Sequence, residues 1–211
     1  MTSHVAESEG REQFVPTSAR GRRTRAKLVD AARQVFLDVG YGEASATLIT
    51  STAGVSYGSF YVYFASKSEI FAEVAGELLD QVYVASRAPS DLKDPIERLT
   101  TENRVFFEVY RENARIFQVI EEAIHSDDEF REAWQRIRRR NVSRLARGLK
   151  RLQDEGKVTL AAAPDALADA LGAMAERLAY LSTIEDSVAA EARINTLTAL
   201  WRQALGLPVP A

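Results

Sequence analysis

Apolar residues in this chain recur at spacings of three and four almost from end to end. The runs stop at capping signals, and nowhere do they alternate as a strand would. That pattern restricts the chain to an all-α fold. From about Arg22, the series Leu28, Ala32, Val35, Phe36 and Val39 marks a first helix, and Gly40 stands where a C-cap glycine belongs. A short second helix is expected from Ala46 to Ala53, with Ser45 as its N-cap, and Gly54 breaks it. A third starts after Ser56. Ser66-Lys67-Ser68-Glu69 reads as a capping box that opens a fourth. Asp94-Pro95-Ile96-Glu97 opens the fifth, which runs to about Tyr110. The sixth covers about 113–124. Ser126-Asp127-Asp128-Glu129 reads as a third capping box, opening a long helix that Gly156 ends. Pro164 opens an alanine-rich helix, and Ser187 caps a last one that ends near Gly206. Three domains are expected: a flexible arm over 1–20, a compact helical domain over 21–66 and a helical bundle over 67–211.

Composition removes whole classes of chemistry. With no cysteine among the 211 residues, there is no disulfide, thiolate nucleophile or cysteine-based metal site. Two histidines, His4 and His125, cannot build a multi-histidine centre. His125 beside Asp127 and Asp128 reads as a helix start, because acids suit a helix N-terminus, and no metal or other cofactor is expected. No credible nucleophile–base pair is present, so no catalytic residue is assigned. No apolar run reaches the length of about 18 residues that a membrane span needs. The polar N-terminus lacks a secretory core, which makes a cytoplasmic location the default.

Charge is uneven, and the asymmetry is more telling than the total of -3. Residues 20–67 hold seven basic side chains (Arg20, Arg22, Arg23, Arg25, Lys27, Arg33, Lys67) against three acidic ones. A basic segment on an acidic body points to a polyanionic partner at one end. The same segment contains a short helix, a turn at Gly54 and a second short helix, the arrangement of a helix-turn-helix. In that motif the second helix enters the DNA major groove, and its first residues, here Ser56, Tyr57, Gly58 and Ser59, meet base edges.

Gly40-Tyr41, Ile49, Ala53-Gly54-Val55-Ser56, Gly58, Phe60-Tyr61, Tyr63-Phe64, Ser66-Lys67 and Glu69 closely resemble the signature of the tetracycline-repressor (TetR) family, without a gap over about residues 22–75. The resemblance implies a homodimeric, ligand-responsive transcriptional regulator, usually a repressor. It implies phosphate contacts from Tyr61, Tyr63 and Lys67. Ser45, as N-cap, would aim the second helix's N-terminus at a phosphate, with Thr47 in the same turn. Phe60, Phe64, Ile49, Leu28 and Phe36 are assigned to a small core, and Tyr41 to packing. Ala44, Ala46, Leu48 and Thr50 depart from types common in the family. The third helix carries no Arg or Lys, so the bidentate arginine–guanine contact is absent from it. Readout then falls to Tyr57, Ser59 and Thr47, or to DNA shape, with Arg20, Arg22, Arg23 and Arg25 adding phosphate or minor-groove contacts.

In the C-terminal half, two apolar faces carry a central amide. They are Ile96, Leu99, Asn103, Phe106, Tyr110 and Phe130, Trp134, Ile137, Asn141, Leu145. A buried amide needs a hydrogen-bond partner, either a side chain or a ligand. Asn103, Phe106, Phe107, Tyr110, Phe117, Trp134, Asn141, Met174 and Arg177 are therefore the candidate ligand-binding residues, for a mostly apolar small-molecule effector. Arg138-Arg139-Arg140 reads mainly as a solvated face.

Leu167, Leu171 and Leu178, with Ile194, Leu197 and Trp201, are expected to form a homodimer interface. Ala166, Ala170 and Ala173 offer a face for close approach. The fold expected is an N-terminal helix-turn-helix domain plus a C-terminal helical ligand-binding and dimerisation bundle. Its partner is a palindromic double-stranded DNA operator. Two other readings remain open: a helical ligand-binding protein without a DNA role, and a DNA-binding regulator with no effector.

Overall fold

The structure is a computed structural model that describes residues 16–87, 94–184 and 187–208, without the side chains of 187 and 188. The expected N-terminal arm lies outside the described residues as far as residue 15, and so does the Ser187 capping side chain. Among the described residues there are nine helices and no strand: α1 (Ala19–Glu43), α2 (Ala46–Ala53), α3 (Tyr57–Tyr63), α4 (Lys67–Ala85), α5 (Pro95–Glu112), α6 (Ala114–Ser126), α7 (Asp128–Asp154), α8 (Pro164–Ile184) and α9 (Ser187–Ala204). No helix among them is long and apolar enough to cross a membrane. The chain forms two compact units, Met1–Val74 and Ala75–Ala211, and α4 begins in the first and ends in the second.

In the first unit, α1 starts before Arg22 because Ser18 caps it, accepting from the Gly21 N–H at 3.0 Å. Gly40 interrupts the helix with φ 80°, a left-handed conformation that glycine adopts without a steric penalty. The break turns Tyr41 inward, where it stacks on Phe36 and packs against Phe71. Its hydroxyl shares a 3.1 Å hydrogen bond with Ser68. Leu28, Phe36, Ile49, Phe60 and Phe64 are all buried, as the resemblance implies for these positions. The Arg25 guanidinium forks onto both Glu73 carboxylate oxygens and lies 4.9 Å from the centre of the Phe64 ring, tying α1 to α4.

In the second unit, the expected caps hold at Asp94, which accepts from the Ile96 N–H at 2.9 Å, and at Pro95 in the first turn of α5. The start of α7 differs from expectation by one residue. Asp127 is its N-cap, accepting from the Phe130 N–H at 2.9 Å. Ser126 belongs to α6, and its hydroxyl donates back to the Glu122 carbonyl. Leu99, Ala146, Leu149, Leu167, Ala168, Leu171 and Leu205 form a buried cluster joining α5, α7, α8 and the end of α9.

Candidate functional site

The first candidate surface is built by α2 and α3. Ser45 caps α2 by accepting from the Leu48 N–H at 3.3 Å, and Thr47 stands exposed in the first turn. Gly54 closes α2 with φ 64°, and its N–H reaches the Ser51 and Thr50 carbonyls, so the chain turns into α3 within a few residues. Ser56 precedes α3 without capping it, and its hydroxyl pairs with Ser59 at 2.8 Å. Phe60 points inward and is fully buried. Tyr57, Gly58, Tyr61 and Val62 are left on the exposed side. The Tyr57 and Tyr61 hydroxyls lie 3.0 Å apart with their rings edge to face, and this bond raises the Tyr61 pKa. Tyr63 is half-buried, its hydroxyl near Gly21 on α1.

The basic residues divide into two groups. Arg22 and Arg23 are exposed, and Arg22 donates to the Thr17 carbonyl at 2.6 Å. Arg25, expected to add DNA contacts, is instead committed to Glu73 and Phe64 inside the unit. Lys67 is half-buried, and its ammonium donates to the Tyr41 carbonyl at 2.7 Å and sits over the Tyr41 ring.

The second candidate site is a cavity of about 350 Å³ within the second unit. Tyr110 at the end of α5 and Phe117, Ile120 and Glu121 on α6 form one side. Trp134 and Arg138 on α7 and Ala173, Glu176, Arg177 and Tyr180 on α8 form the other. The Tyr110 and Phe117 rings stack with centroids 3.7 Å apart. Burial, reinforced by Glu176 and Glu121, pushes the Tyr110 phenol well above the ordinary tyrosine value. Burial also raises the Glu176 carboxyl, against the pull of Arg138, whose Nε donates to it at 2.8 Å. Arg138 reaches Asp169 as well, and these two acids raise its pKa despite the desolvation that opposes them. Arg177 lies over the Tyr180 ring.

Of the expected ligand residues, the structure brings together Tyr110, Phe117, Trp134 and Arg177. Asn103 is elsewhere: buried, with its amide donating to the Thr198 hydroxyl at 3.0 Å, it joins α5 to α9. Phe106 and Phe107 are not cavity residues, and Met174 packs on the buried cluster. Asn141 lies outside the cavity, its Nδ2 donating to the Ile137 carbonyl and its Oδ1 buried without a partner. Arg138 is a lining residue and not part of a solvated face. The missed lining residues had a signal: Ala173, Glu176 and Tyr180 fall at helical spacing around Arg177 on one face of α8.

The expected dimer residues are redistributed in the same way. Leu167, Leu171, Ile194 and Leu197 are buried within this chain, because α8 packs on α5 and α7, and α9 packs on α5 and α8. A side chain already covered by its own subunit offers no surface to a second one. Leu178 and Trp201 are half-buried, whereas Ala166 and Ala170 on α8 and Leu200 on α9 face outward, and the expected Ala173 lines the cavity instead.

The description "Bacterial regulatory proteins, tetR family" fits residues 28–74, and "Transcriptional regulator EthR, C-terminal domain" fits residues 100–205, half of the chain. The HTH-type transcriptional regulator EthR of Mycolicibacterium smegmatis is 25% identical over 205 residues, covering 86% of this chain and 89% of that protein. Two solved structures share the fold. A TetR-family regulator from Syntrophomonas wolfei has a TM-score of 0.72 at 20% identity, covering 90% of this chain and 99% of its own. Thermus thermophilus FadR, a TetR-family repressor solved with lauroyl-CoA, has 0.66 at 21%, covering 89% and 97%. These relatives are regulators and not enzymes. With its helix-turn-helix and its helical second unit each matched, the chain belongs to the TetR family of transcriptional regulators.

Proposed function

We propose that the protein is a cytoplasmic homodimeric repressor that binds a palindromic operator and is released by a small molecule. The domain division proposed is an arm over 1–20, a DNA-binding domain over 21–66 and an effector and dimerisation domain over 67–211. The observation that carries the operator reading is the outward face of α3, where Tyr57, Gly58 and Tyr61 have no burial role inside the chain. Ser45, Thr47, Ser56, Ser59, Tyr63 and Lys67, with the exposed Arg22 and Arg23, would hold the phosphates and groove edges around it. Lys67 would have to exchange its Tyr41 carbonyl for a phosphate.

The effector reading rests on the cavity between α5, α6, α7 and α8. Its aromatic walls suit a ring or other apolar body. The Tyr110 hydroxyl, and the charges of Glu121 and Arg177, suit a polar handle. The effector is therefore amphipathic, with more polar character than the aromatic pattern alone predicts. α7 is the element that would relay its binding. It contributes Trp134 and Arg138 to the cavity, and its Arg140 and Arg144 both grip Asp80 on α4. Release requires that the effector prefer the operator-incompetent state, with a coupling of about 1–3 kcal/mol typical of such linkage. The outward alanines of α8, with Leu200, are the proposed dimer face.

Selection from random duplex pools at two salt concentrations tests the operator reading. A recovered palindrome bound with steep salt dependence supports it. Failure of an intact dimer to enrich any sequence overturns it. Compounds are then screened for release of the recovered operator.

A further inference from the structure

The outward surface of the helix-turn-helix has an unusual chemistry. α2 reads ATLITSTA and α3 reads YGSFYVY, so neither helix holds a charged or amide side chain. Guanine is read by paired donors, adenine by an amide and cytosine by a carboxylate, and none of these is present. Hydroxyls remain, and they serve any base. What distinguishes a base to the rest of this surface is hydrocarbon. Val62 is 55% exposed, Tyr57 53% and Tyr61 48%, a large share of apolar area to leave in water on a small domain.

Gly58 lies on the same face, one turn before Tyr61 and Val62. Glycine inside a helix is destabilising relative to alanine. Nothing in this chain requires it, because a Cβ placed there meets no side chain within 4 Å beyond its two chain neighbours. The helix backbone at Gly58 is therefore open to the outside, on the exposed face that it shares with Tyr61 and Val62.

We propose that α3 reads thymine through its 5-methyl group, which seats over Gly58 against Val62 and Tyr61. The inference rests on the operator reading above and names the base feature that the operator must carry. Thymine is the base whose major-groove edge presents a methyl. An aliphatic wall beside an open backbone recognises that group and gains nothing from a guanine or cytosine edge. The selected half-sites are therefore expected to hold a thymine at a fixed position under α3.

The test replaces each thymine of the recovered operator by deoxyuridine, which removes the methyl and leaves the hydrogen-bonding edge intact. One thymine per half-site should be sensitive, with affinity falling about four-fold for one substitution and about 15-fold for the symmetric pair, the scale of one buried methyl each. Gly58→Ala should fold at least as well as the parent, cover the open backbone with a methyl of its own and bind the thymine operator more than ten-fold more weakly. Val62→Ala should fold normally and shrink the uridine penalty to less than two-fold. The proposal is overturned if the fully uridine-substituted duplex binds within two-fold of the thymine duplex. It is equally overturned if the penalty persists undiminished in both variants. Binding to no duplex at all overturns the operator reading and this inference with it. Equal binding of the two duplexes overturns the inference alone.

Discussion

Arg25 and Arg22 sit three residues apart on α1 and do different work. Arg25 is turned inward by a carboxylate it can fork onto and an aromatic face it can cover, so its charge is neutralised within the first unit. Arg25→Ala leaves the Glu73 carboxylate without its partner in a part-buried site. Chemical denaturation should then record a loss of about 2 kcal/mol. Arg22→Ala with Arg23→Ala should leave that stability unchanged and reduce the salt slope of operator binding by about one per lost phosphate contact. A second residue-scale test falls on Tyr110. Tyr110 lines the cavity, and Tyr110→Phe, which removes only its hydroxyl, should alter stability by no more than about 0.5 kcal/mol. The effector concentration for half-release should rise about five- to ten-fold if that hydroxyl binds the polar handle.

At the scale of elements, helix boundaries were legible because caps are local chemistry. Ser45, Gly54, Asp94 and Gly156 can be read from their neighbours in sequence, and each sits at a helix end in the structure. Ser126 shows where that reading fails. Ser126 and Asp127 are adjacent acceptors, and Ser126 is drawn into α6 by its bond to the Glu122 carbonyl. α7 meets the cavity through Trp134 and Arg138 and meets α4 through Asp80. Asp80→Asn keeps the shape of the side chain and removes its charge. Because Asp80 and Arg140 are exposed and only Arg144 is part-buried, stability should change by less than about 1 kcal/mol. Operator affinity and effector affinity, measured separately, should hold within about two-fold, while the effector's power to release the operator should fall about five-fold.

At the scale of the whole molecule, assembly decides how many half-sites are held at once. Ala170 is exposed on the outward face of α8, so Ala170→Arg is expected to leave the subunit folded. Sedimentation should show a monomer, and operator affinity should fall by about a hundred-fold or more because one half-site is lost. An unchanged dimer would place the interface elsewhere.

Short-range physics made the helices, their caps and the helix-turn-helix readable in the sequence, because each depends on residues within about four positions of one another. The inward set of Leu28, Phe36, Ile49, Phe60 and Phe64 was readable through the family resemblance of the segment that holds it. The fate of the later apolar stripes was not. Hydrophobic burial has no direction, so a stripe states that it must be covered and not by what. Leu167, Leu171, Ile194 and Leu197 could equally have met a second subunit, and the packing of α8 on α5 and α7 and of α9 on α5 and α8 covered them within the chain. Asn103 could equally have met a ligand, and Thr198, 95 residues away in sequence, met it instead. Arg138 became a cavity residue only because tertiary packing brought Glu176 and Asp169 within its reach.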